Sequence, residues 1–210
     1  TQGTADIESP RMLTRTNVLT LSRVSLAALM TLSLSLPLAA AQERDFAREA
    51  VTNLNAYAAY KMGKYDEARK IWEGLAQKGN TTALLNLANM FQQGQGVSQN
   101  DHEAHELVEK AAALGDPRAQ YELGMAYEKG HVVDRDIAQA AKWLKKSADQ
   151  DYADGQFAYG VMLATARGQG LDKSSRQQRQ QAIELLLKAK AGGHLEAGDY
   201  IETIRSSLEE

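Results

Sequence analysis

From about residue 45 onward, apolar positions return in one register every 36 residues. Ala68, Ala104 and Ala140 share it; Ile71, Leu107 and Trp143 follow, then Trp72, Val108 and Leu144, then Ala76, Ala112 and Ala148. Within each set the spacing is i, i+3, i+4, i+8, one apolar face of an α-helix. A second set precedes it: Ala83, Leu87, Ala88 and Phe91 match Ala119, Leu123, Gly124 and Tyr127. Gly155, Phe157, Tyr159, Gly160 and Leu163 form a third copy, whose partner helix, carrying Ala182, Leu185, Leu186 and Ala189, is delayed by an insertion. The pattern predicts helix pairs, each burying its stripe against the next pair. A small residue beside a large one (Ala88, Gly124 and Gly160 near Phe91 and Tyr127) predicts close helix approach.

Punctuation supports this division. Asn80, Asn100 with Glu103, and Asp116-Pro117 are helix starts, and Gly79, Gly115 and Gly192-Gly193 are stops. Gly94 and Gly96, and again Gly168 and Gly170, lie between the helices of a pair, where the chain reverses and positive φ is needed. Ala197 to Leu208 has one apolar stripe and is expected to cap the stack. The expected fold is all-α: an α/α superhelical solenoid of about four helix-turn-helix repeats with a C-terminal capping helix.

The first forty residues read differently. Arg15 and Arg23 precede an apolar run from Val24 to Leu38, closed by Ala39, Ala40 and Ala41. That run is shorter than a bilayer-spanning helix needs and has the layout of a signal peptide cleaved after Ala41, with Met12 as the natural start; the alternative is an uncleaved membrane anchor. The expected organisation is 1–41 as upstream residues and signal peptide, and 42–210 as the repeat domain, periplasmic or secreted, with no stable membrane insertion after cleavage.

Charge and chemistry narrow the function. A formal net charge of −3 over 210 residues, with both signs interleaved, argues against a nucleic acid partner. The chain has no cysteine, so thiolate metal sites and disulfides are excluded. His102 and His105 stand i, i+3 in His-Glu-Ala-His, the wrong spacing for a zinc-protease helix, and are expected in a solvated first turn. His131 and His194 are expected at the surface, and no metal or cofactor is expected. Gly94-Gln95-Gly96 and Gly168-Gln169-Gly170 lack the strand and continuation of a dinucleotide loop, so the turn reading holds. The segment from Lys173 to Gln181 is read as a solvated loop or helix extension.

The run from Ala119 through Leu123, Gly124, Tyr127, Gly130, Val132, Val133, Asp136, Ala140, Trp143 and Ala148 resembles a Sel-one-like repeat. Tyr60 to Ala68 is similar to the tighter tetratricopeptide turn. The resemblance implies stacked helix pairs that act as a protein-interaction scaffold, in exported bacterial members often for envelope signalling, assembly or cell-wall regulation. It also brings an enzymatic alternative, since cysteine-rich relatives are linked to β-lactam hydrolysis. This chain has neither those cysteines nor a Ser-x-x-Lys or Lys-Thr-Gly motif. The expected function is a non-enzymatic scaffold or regulator of the bacterial envelope that binds a protein or peptide partner on the concave face; the alternative is a factor acting on β-lactams or peptidoglycan. Counting along the first helix of each pair, the partner-facing positions are Tyr57, Leu85, Asn89, Tyr121, Met125, Phe157 and Val161.

Overall fold

A computed structural model of the chain describes residues 45–166 and 174–209. The expected signal peptide and the second glycine pair, Gly168 and Gly170, lie outside those residues. The chain divides into two units, Thr1–Ala50 and Val51–Glu210. In the first, the described residues 45–50 are helical. Everything below concerns the second.

Helix α1 (51–61) is followed by α2 (Tyr65–Ala76), α3 (Thr81–Gln93), α4 (Asp101–Ala113), α5 (Pro117–Lys129), α6 (Ile137–Ala148), α7 (Ala153–Ala164), α8 (Arg176–Ala191) and α9 (Ala197–Glu209). No strand occurs among the described residues. From α2 onward each helix packs on its successor, and α5, α7 and α9 touch in turn, as expected for helix pairs stacked into a solenoid. The caps expected at Asn80, Asn100 and Asp116 form, and Asp136 adds a further one. Asn80 accepts from the Ala83 N–H, Asn100 from His102 and Glu103, Asp116 from Ala119, and Asp136 from Ala138 and Gln139. Ser175 and Gln178 close a capping box that starts α8, so the glutamine-rich segment from Arg176 is helix rather than loop. Tyr152, at the same position before α7, makes no side-chain cap.

The recurring alanines form the seam: Ala68, Ala104, Ala140 and Ala182 are fully buried, as are Ala83 and Ala119. Beside them the small residues let helices touch. A Cβ on Gly124 would stand 2.7 Å from Leu144 Cγ, and one on Gly160 would stand 3.2 Å from Leu186 Cγ. Polar links tie the two helices of the α5–α6 pair together and to the turn before it. Ser147 Oγ donates to the Pro117 carbonyl at 2.6 Å, and Gln150 Nε2 donates to the Gly115 carbonyl and to Gln120 Oε1. At the C-terminal end α9 buries Ala197, Ile201 and Ile204 against α8 and α7, which is the expected capping role.

Two turns of equal register differ in one respect. Gly94 and Gly96 carry φ of 65° and 72°, and 36 residues later Gly130 has 70° but Val132, a β-branched residue, has 68°. That conformation costs a residue with a Cβ about 1–2 kcal/mol.

Candidate functional site

A groove of about 610 Å³ opens between α3 and α5, lined also by residues of α4. Helix α3 presents Leu85, Ala88, Asn89 and Gln92, spaced i, i+3, i+4, i+7 on one face. Helix α4 supplies Asp101, His105 and Val108; α5 supplies Arg118, Tyr121, Glu122, Met125 and Lys129. His131 and Val132, from the turn after α5, close one end. The floor is apolar (Leu85, Ala88, Val108, Met125) and the rim is amide and charge.

Electrostatics in the groove are nearly balanced. Arg118 Nε pairs with Glu122 Oε1 at 2.9 Å, while Asn89 Oδ1 accepts from Gln93 Nε2 at 2.8 Å. His105 departs from expectation: its side chain keeps only 11% exposure, whereas His102 keeps 76%. The two rings stand about 60° apart round α4, and it is His105 that lines the groove beside the α5 residues. Its Nε2 lies 3.6 Å from Glu109 Oε1 and takes no hydrogen bond among the described residues. Beside the groove, burial pushes the Tyr121 phenol up, with the Asp154 carboxylate adding to it. Tyr152, tilted against Tyr121 at 5.9 Å, is pushed up to about 12 by burial first and by its hydrogen bond to Asp154 second.

Of the expected contact positions, Leu85, Asn89, Tyr121 and Met125 meet in this groove. Tyr57 does not reach it; it is half exposed on α1, stacked 6.3 Å from Tyr60 under Lys61. Phe157 and Val161 pack into the C-terminal cluster. Phe157 stacks on His194 at 3.7 Å and meets Tyr200 edge-on at 5.3 Å, so His194 is a packing partner rather than a free surface residue. His131 is exposed as expected. Asp101, His105, Val108 and Val132 escaped the sequence reading because it counted along first helices only, and these four come from α4 or a turn; Arg118 and Lys129, at the two ends of α5, lay outside the positions it counted. Among the described residues no group of three or more His, Asp or Glu side chains could hold a metal ion, and no helix is long and apolar enough to cross a membrane.

Comparison with known proteins agrees with this architecture. The Sel1 repeat family model matches residues 81–116, 117–152 and 153–194. An exopolysaccharide production negative regulator of Rhizobium meliloti is 30% identical over 152 residues, covering 66% of this chain and 54% of that protein. The Rhizobium leguminosarum bv. viciae protein of the same description is 29% identical over 155 residues, covering 66% of this chain and 55% of that protein. The chain thus spans about half the length of these curated relatives. Among solved structures, a Sel1 repeat protein from Oxalobacter formigenes is similar with TM-score 0.56 and 27% identity, over 63% of this chain and 95% of that one. A protective antigen present in uropathogenic Escherichia coli strains is similar with TM-score 0.54 and 30% identity, over 62% of this chain and 27% of that one.

Proposed function

The chain belongs to the Sel1 repeat family, and we propose that it is a non-enzymatic regulator of the bacterial cell envelope that holds a protein or peptide partner in the groove between α3 and α5. The observation that carries this reading is the groove itself: an apolar floor under a rim of amides and charges. Repeat architectures offer recognition surfaces along their first helices, on the inner curve of the stack, and four first-helix residues (Leu85, Asn89, Tyr121 and Met125) line this groove. The names of the Rhizobium relatives extend the reading to negative control of exopolysaccharide production. Export to the periplasm or beyond the cell is part of this proposal, and what supports it is the basic and apolar segment from Arg15 to Ala41.

The test is site-specific photocrosslinking in intact cells. A photoreactive residue at Asn89 or Met125 is expected to trap one common envelope protein, while the same residue at Leu187, exposed on α8, traps none of it. Deleting that protein is expected to change exopolysaccharide output. Adducts that are equal at all three positions would remove the groove from the function.

A further inference from the structure

Helix α1 differs from the other first helices in what it leaves open. Among the described residues, α3 and α5 expose only positions near their ends (Thr82, Gln92 and Gln93; Arg118 and Lys129), and α7 exposes none, because each is packed between helices before and after it. On α1, Ala56 and Ala59 are buried in the core. The opposite side stays exposed along Val51, Leu54, Ala58 and Met62, spaced i, i+3, i+7, i+11. Val51, Leu54 and Met62 are 57%, 67% and 64% exposed, so an apolar stripe faces outward where a solvated helix side would be polar. The far end of the stack is different. A solenoid closes with a polar outer face, and the exposed positions of α9 are polar except Tyr200, which is engaged edge-on by Phe157.

We infer that this stripe is the contact between two copies of the chain, α1 of one lying antiparallel on α1 of the other across a two-fold axis. With one apolar end and one polar end, only like ends can meet, and like ends close into a pair rather than a filament. Ala58, in the middle of the stripe, has the place that Gly124 has against Leu144: a small residue that lets two helices touch, with Leu54 and Met62 on either side to fill the space. Asn55, exposed beside Ala58, carries both a donor and an acceptor, so the same amide of a second copy completes it, and a polar residue set in an apolar contact fixes register. Lys61 is the one charged residue from 51 to 62, and its ammonium stands over its own Tyr57 ring, 5.7 Å from the centroid and to the side of the stripe. Like charges are therefore not set face to face. The stripe from 51 to 62 is about 18 Å long, which gives a contact of the small class, under about 1,200 Å² in total, and hence a weak and reversible pair. The groove reading stands or falls separately, since none of these residues lines the groove.

Sedimentation equilibrium of the full chain, from about 10 µM to about 1 mM, tests this. A monomer–dimer equilibrium with a dissociation constant of about 10–100 µM is expected. Ala58→Glu sets two carboxylates together at the axis and should weaken the dimer at least about tenfold, with helical circular dichroism unchanged because the position is exposed. Leu54→Lys acts in the same way and serves where Ala58→Glu loses helix. The chain has no cysteine, so Ala58→Cys introduces a single thiol, which should form an inter-copy disulfide on mild oxidation, whereas Glu202→Cys on α9 should not. A chain that stays monomeric at every concentration would overturn the proposal and leave the stripe to the helix of a different protein. Dimers that persist through both charge substitutions with helix content intact, assembly beyond the dimer, or linkage through Glu202→Cys as readily as through Ala58→Cys would overturn it as well.

Discussion

Gly124 lies against Leu144 so closely that a Cβ would stand 2.7 Å from its Cγ and 3.1 Å from its backbone nitrogen. One repeat earlier the register pairs Ala88 with Val108, and both belong to one core cluster. A methylene subtracted from one helix is added to the other, so the seam keeps its volume while the two side chains change.

Gly124→Ala is therefore expected to destabilise by about 1–2 kcal/mol, the overpacking outweighing the gain in helix propensity. Gly74, exposed in α2 with nothing near a Cβ, is the opposite case: Gly74→Ala should stabilise by about 1 kcal/mol. Urea midpoints measured side by side check both signs. Adding Leu144→Val to Gly124→Ala should recover part of the loss, because it recreates the pair found one repeat earlier.

The hydroxyl of fully buried Ser147 ties α6 to the first turn of α5 through the Pro117 carbonyl. Ser147→Ala is expected to cost about 1 kcal/mol by losing that bond in a dry seam. Ser147→Val should cost more, since Gly155 approaches the hydroxyl too closely to admit extra atoms. Thermal unfolding of the two variants gives the order.

Alkaline pH provides a separate handle. The Tyr152 phenol is raised to about 12, so the folded protein holds a proton that the unfolded chain gives up near 10. Its contribution is complete below about pH 10 and is lost as pH rises toward about 12. Stability should fall across that window, and less steeply in Tyr152→Phe. Tyr60 and Tyr121 are also raised, so the variant reduces the slope without removing it. Phenolate absorbance of the folded protein should show a late-titrating fraction that shrinks in the same variant.

Phe157→Ala removes the ring stacked between His194 and Tyr200 and should destabilise by about 2–3 kcal/mol. Amide exchange is expected to accelerate first in α9, which docks through this cluster. Loss of partner crosslinking without such loosening would contradict the packing role.

Val132→Gly relieves a left-handed β-branched residue and should gain about 1 kcal/mol, less what the glycine returns as unfolded-chain entropy. A urea midpoint below that of the parent protein would reject the strain.

The helix pairs, their caps and the small-residue seam were legible in the sequence because they follow from spacing: Ala68, Ala104 and Ala140 could share a register only by sharing a seam. The groove was only half legible. Leu85, Asn89, Tyr121 and Met125 lie on first helices and were reached by counting, whereas Asp101, His105 and Val108 come from the second helix α4, which that counting did not follow. Phe157 was misplaced for a related reason: its column is the same as that of Leu85 and Tyr121, but its neighbour is His194, brought there by an insertion that breaks the period. The burial of His105 depends on the α5 residues packed beside it in the groove, which spacing within α4 does not reveal.

The joints between units are not interchangeable. Asp116 joins by a short acceptor on a backbone amide, a fitting indifferent to what lies on either side, and Asn80 does the same while also accepting from Asn53, whereas Tyr152 and His194, at the same station, hold on by their rings to particular companions. A cassette of one period copied in at the Asp116 joint would meet a connector like its own; copied in near the C-terminus, it would part His194 from Phe157. Growth of this protein by duplication is thus open at its front and closed at its back.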